Sequence, residues 1–150
     1  MSTSIAKEVF LSSTLQPGEY YSGIVLGKGR TRDYHLVLTI NKLDNVNWEA
    51  AMAFAEGVEA GRLPNRQESL LLAANLSSVF EGNKLYWTGE THSADHNVAW
   101  AQSFFNGGQV GRGKETEHNC VVIRRVIITE AGKEINERRN RSDRRKRTQQ

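Results

Sequence analysis

Histidine, aspartate and cysteine are the residue types in this chain that could bind a metal or attack a substrate, and their spacing decides what they can do. His92 and His96 stand four residues apart with Asp95 between them, and His118 follows in a second polar stretch. On a helix the two imidazoles would share a face, as zinc ligands do. The segment Gly89-Glu90-Thr91-His92-Ser93-Ala94-Asp95 does not read as a stable helix, and no further ligand pattern accompanies it. Exposed loop histidines are the expectation, and no metal is assigned. Cys120 stands in an apolar run with Val121, Val122 and Ile123, where a thiol behaves as a small core residue rather than a nucleophile. No Gly-x-Ser-x-Gly elbow, His-Glu-x-x-His or Walker pattern orders the serines and acids into a mechanism. Gly27-Lys28-Gly29-Arg30 lacks the Walker spacing and reads as a turn. No catalytic residue and no cofactor are assigned, so the chain is expected to bind rather than to act as an enzyme.

Charge supplies a second kind of chemistry. Residues 138–150 hold seven Lys/Arg, namely Arg138, Arg139, Arg141, Arg144, Arg145, Lys146 and Arg147, against the single Asp143, a net charge of +6. With +3 on the whole chain, the remainder carries −3. A like-charged run cannot bury itself and either stays solvated or meets a polyanion. Phosphate contacts from these seven side chains would make the tail a nucleic-acid binder.

The elements that must position such residues follow from the apolar pattern. A chain of 150 residues suits one domain with a core of its own. One cysteine excludes an intrachain disulfide and favours a reducing compartment. No apolar run has the length of a signal peptide or a membrane span, so a cytoplasmic location is expected and no membrane is assigned. Strands are predicted over Tyr20–Leu26 and Asp33–Ile40, joined by the Gly27–Arg30 turn into a hairpin. Asn47 is placed to cap a helix whose Trp48, Ala51, Met52 and Ala55 share one face and which Gly57 can stop. Asn65 and Glu68 have the spacing of a capping box opening a second helix, with Leu70, Leu71 and Ala74 on its apolar side and Pro64 holding Leu63 extended. Further strands are predicted over Leu85–Thr88, Val98–Phe105 and Cys120–Ile128, separated by loops Gly89–Asn97 and Asn106–Asn119. Trp48, Met52, Leu71, Trp87, Trp100 and Val122 are expected to share one core.

The order of these blocks is itself informative. Trp48, then Arg62-Leu63-Pro64-Asn65-Arg66-Gln67-Glu68, then Tyr86-Trp87-Thr88-Gly89, then Ala99-Trp100 with Phe104, Phe105 and Asn106-Gly107, then Val121-Val122-Ile123-Arg124-Arg125-Val126 resembles the Lcl C-terminal domain family, over roughly residues 20–126. That family has a C-type-lectin-like fold and is frequent in bacterial and phage genomes. The resemblance implies an α+β domain, a C-type-lectin-like mixed sheet with two helices, at 20–128. An N-terminal segment 1–19 precedes it, and a basic C-terminal tail 129–150, helical or disordered, follows. It also implies that Gly89–Asn97 and Gly107–Asn119 face the ligand. The calcium-binding motifs of sugar-binding lectins, Glu-Pro-Asn, Gln-Pro-Asp and Trp-Asn-Asp, are absent, so calcium-mediated glycan binding is not expected.

The functional expectation is a phage or prophage binding module acting as a virion component or an inhibitor of a host protein. Its candidate partner-binding residues are Glu90, His92, Asp95, His96, Trp100, Asn106, Gln109 and Arg112. A protein is the first partner expected and a glycan a lesser one. The alternative is a nucleic-acid-associated protein working through the arginine-rich tail. The Arg-Leu-Pro block is assigned to the helix start rather than to binding, because capping accounts for Asn65 and Glu68.

Overall fold

A computed structural model describes residues 14–128. They form an α+β fold, one mixed sheet with two helices. Strand β1 (Tyr20–Val25) pairs antiparallel with β2 (Tyr34–Val46), and helix α1 (Trp48–Glu56) follows. The two-residue β3 (Gly61–Arg62), helix α2 (Arg66–Leu76) and a short 3₁₀ turn at Ser77–Val79 come next. Strands β4 (Leu85–Thr91), β5 (Val98–Ser103), β6 (Gln109–Gly113) and β7 (His118–Ile127) complete the order. The spatial order is β1-β2-β7-β4-β5-β6, with β3 also on β7. Every pairing is antiparallel except the contact of β4 with β7 at Tyr86 and Asn119.

The helix starts are where the capping pattern places them. The Asn47 side chain accepts from the Ala50 N–H at 2.9 Å. Asn65 accepts from the Glu68 N–H while Glu68 accepts from the Asn65 N–H, a complete capping box. In β1 a bulge between Tyr21 and Gly23 requires φ of +128° at Gly23, a conformation L side chains rarely adopt. At Gly61 a Cβ would meet Val122 Cγ1 at 2.6 Å, so only glycine lets β3 lie this close to β7.

The expectation of one shared core is corrected. Successive residues of a strand point to opposite faces, and here both faces of the sheet are covered. Cys120 and Val122 of β7, with Trp87, Ala99 and Ala101, pack with Ala51 and Ala55 of α1 and with Trp48 and Met52 beside them. Val121 and Ile123, with Leu36, Tyr86 and Phe104, pack with Leu72 of α2, and Leu71 joins that side. Trp100 belongs to neither cluster. The indole N–H groups packed on the α1 face find partners, Trp87 Nε1 on the Val46 carbonyl at 2.8 Å and Trp48 Nε1 on the Thr88 carbonyl at 2.9 Å.

A second correction concerns the expected loop Asn106–Asn119, which contains β6 and so places Gln109 and Arg112 on a strand. Glu90 likewise lies within β4, which runs on past Thr88 to Thr91. No described helix is long and apolar enough to cross a membrane.

Candidate functional site

Trp100 organises the surface that carries half of the predicted contact residues. In β5 its neighbours Ala99 and Ala101 are fully buried toward α1, so strand alternation turns Trp100 and Gln102 to the opposite face, where α2 begins. Gly111 of β6 stands directly across from Trp100, and a side chain there would collide with Val98 Cγ1 at 2.9 Å. The small residue leaves room beside the indole.

Two groups lie on that indole. The Arg66 guanidinium carbon is 3.7 Å from the ring centroid, a cation–π contact. The His92 ring stacks at 4.7 Å between centroids and 25° between planes. Each is held by its own backbone setting. The His92 N–H donates to the Val98 carbonyl at 2.7 Å, and its Nδ1 accepts from the Ala94 N–H at 3.0 Å. Arg66 is the first residue of α2, and its free N–H donates to Glu90 Oε2 at 2.6 Å. A carboxylate at a helix N-terminus is also favoured by the helix dipole.

Gln109 locks the arginine from the other end. Arg66 Nε donates to Gln109 Oε1 at 2.9 Å, while Gln109 Nε2 donates to the Arg66 carbonyl and to Gln102 Oε1, both at 2.8 Å. Gln102 is fully buried and donates onward to the Ser103 carbonyl. A polar network on β5, β6 and α2 therefore fixes a guanidinium over an aromatic ring.

Of the eight predicted contact residues, Glu90, His92, Trp100 and Gln109 meet here. Asp95, His96, Asn106 and Arg112 do not. Asp95 Oδ1 accepts from the Asn97 N–H at 2.9 Å and shapes its own turn. His96 is exposed in the same loop. Asn106 Oδ1 accepts from the Gly108 N–H at 2.8 Å in the β5–β6 turn. Arg112 pairs across the sheet with Ala99, which puts it on the α1 face, where its charge reaches His118. Burial first, and then that charge, hold His118 below the usual histidine range.

Arg66 is the residue that the sequence reading missed. It stands in the Arg-Leu-Pro block assigned wholly to the helix start, and nothing in its local pattern points toward Trp100. The same block needs a second correction at Glu68. Its carboxylate is fully buried, and beyond capping it accepts from Tyr34 Oη at 2.7 Å and from Arg125 Nε and Nη2 at 2.7 and 3.0 Å.

Burial pushes the Cys120 thiol up to about 11, so it stays protonated at neutral pH. Among the described residues no group of three His, Cys, Asp or Glu could hold a metal ion. The tail residues Arg138, Arg139, Arg141, Arg144, Arg145, Lys146 and Arg147 lie outside the described residues.

Set beside models of known protein families, the chain matches none. No curated protein matches it either.

Proposed function

We propose that this chain is a non-enzymatic binding module that holds a protein partner against the face built from Trp100, Arg66, His92, Gln109 and Glu90. The observation that carries this reading is the Arg66 guanidinium, seated over Trp100 and fixed by Gln109. Tryptophan and arginine dominate the energetics of protein interfaces, and they do so when their ordering has been met before binding. A first-turn helix residue and a strand residue tied by side-chain amides satisfy that condition better than mobile loop tips.

A sugar ring that stacked on Trp100 would have to displace Arg66 or His92, which favours protein over glycan. The resemblance to the Lcl C-terminal domain family supports a C-type-lectin-like presentation of this face. It supports equally a phage or prophage origin, as a virion component or an inhibitor of a host protein.

The test is affinity capture from bacterial lysate with the full chain, followed by calorimetry with the purified captured protein. Trp100→Ala and Arg66→Ala should each weaken that complex roughly 30-fold or more, the about 2 kcal/mol of an interface hot spot, with melting temperatures shifted only a few degrees. Unchanged affinity in both variants would reject this face as the site.

A further inference from the structure

The Arg66 guanidinium carries a charge that no neighbouring acid answers. Among the described residues no carboxylate stands within ion-pair distance of it. Glu90 reaches the helix start instead, where its Oε2 accepts from the Arg66 backbone N–H. Gln109 Oε1 occupies only Nε, which leaves Nη1 and Nη2, the end of the fork, unspent. Two more donors lie on the same stack. The His92 Nδ1 accepts from the Ala94 N–H, so the neutral ring carries its proton on Nε2. Neither that nitrogen nor Trp100 Nε1 meets an acceptor among the described residues.

Burial distinguishes these nitrogens from an unsatisfied core group. Among the described residues, Ser22 Oγ is the only buried side-chain nitrogen or oxygen without a hydrogen-bond partner. Arg66, His92 and Trp100 are each half-buried, so their unspent nitrogens are atoms that reach solvent. All of them donate, and one group is a cation. A ligand that completes them must therefore offer acceptors and negative charge. The two Nη groups match the two oxygens of a carboxylate in a forked, charge-assisted pair. Because Trp100 and Gln109 already hold the guanidinium in place, little side-chain freedom is left to lose on binding.

An acidic side chain fits this arrangement better than other anions. A C-terminal carboxylate is captured by successive backbone N–H groups, and at the start of α2 those of Arg66 and Glu68 are already taken by Glu90 and Asn65. A phosphoryl group draws on a cluster of arginines, whereas Arg112 of the neighbouring strand β6 lies on the α1 face. We infer that the Trp100 face recognises an aspartate or glutamate side chain of its protein partner, held by Arg66 Nη1 and Nη2 with the Trp100 and His92 N–H groups as further donors. The inference rests on the reading of this face as the partner site and adds the chemistry of what it receives.

The experiment follows the indole N–H resonances of the full-length chain by NMR, the Trp100 signal being assigned by its loss in Trp100→Phe. The probes are acetyl-glutamate methylamide, acetyl-glutamine methylamide, inorganic phosphate and acetyl-glycyl-glycine, which ends in a free carboxylate. The glutamate probe should move the Trp100 signal saturably, and the glutamine probe should bind at least about tenfold more weakly, the loss of a charge-assisted hydrogen bond. Arg66→Gln should weaken the glutamate probe by a similar factor while melting within a few degrees of the native chain. Equal affinity for the glutamate and glutamine probes, or no shift with either, would overturn the inference. Tighter binding of phosphate or of the free C-terminus would overturn it in favour of that anion. Unchanged affinity of the captured partner in Trp100→Ala and Arg66→Ala would remove the face itself. Lowered partner affinity with no preference for the glutamate probe would remove only its acidic occupant.

Discussion

Arg66 lies over Trp100, its guanidinium carbon 3.7 Å from the ring centroid, although the first belongs to a helix start and the second to a strand. Gln109 hydrogen-bonds both the Arg66 side chain and the Arg66 carbonyl, so the contact depends on a planar, forked donor as well as on charge. Arg66→Lys should keep the charge and lose the fork. Its affinity for the partner should fall close to that of Arg66→Ala, at a stability cost of about 1 kcal/mol. Isothermal calorimetry and thermal melts on the same preparations check both values; a lysine variant that binds as tightly as the native chain would reduce Arg66 to a positive charge.

Glu68 should prove far more important for stability than its capping partner Asn65. Removing the Asn65 side chain leaves one helix N–H without its acceptor, a loss of about 1 kcal/mol. Removing the Glu68 carboxylate strips partners from the Asn65 N–H, Tyr34 Oη and Arg125 together. Breaking a buried ion pair from one side costs about 3–5 kcal/mol, and the half-buried Arg125 can regain some water, so a loss of about 3 kcal/mol is expected for Glu68→Ala. Denaturant unfolding of the two variants decides the ranking.

Each face of the sheet should fail independently. Trp87 is fully buried on the α1 side and Leu72 fully buried on the α2 side. Trp87→Ala should cost about 3–5 kcal/mol and Leu72→Ala about 2–5 kcal/mol. With the sheet between them, the double variant should be additive to within about 0.5 kcal/mol. A larger coupling energy would mean that the two clusters behave as one core.

Acid should weaken the anchor of the segment that leads into β1. Arg124 Nε and Nη2 hold both Glu19 oxygens at 2.9 and 2.7 Å, and this pairing keeps the Glu19 carboxyl below its ordinary value of 4.5. The unfolded chain therefore takes up the proton first as pH falls. The stabilisation is fully present above about pH 5 and is lost as pH falls through the folded-state value. Solvent still screens part of the pair, so it is worth about 1 kcal/mol. Melts of native chain and Glu19→Gln should differ at pH 7 and converge as pH falls through the folded-state value; a constant difference would assign the effect to packing.

What the sequence determined by itself is local. Asn47, Asn65 and Glu68 announced the two helix starts because each cap closes within three residues, and the alternation around Leu36 and the apolar run around Val122 announced strands because those signals are written in the segments' own side chains. The tertiary structure alone decided what meets across the chain. Strand β6, with Gly111 and Gly113 among its five residues, has no alternation of its own and is a strand because β5 supplies its hydrogen bonds. The expected single core became two because sheet pairing assigns alternate residues to opposite faces, and only the placement of α1 and α2 says that both faces are covered. Arg66 joined Trp100, and Glu68 joined Arg125, through the crossing of elements distant in sequence. Such a meeting leaves no trace in the spacing of either residue's neighbours, since the free energy that selects it arises only when the layers close.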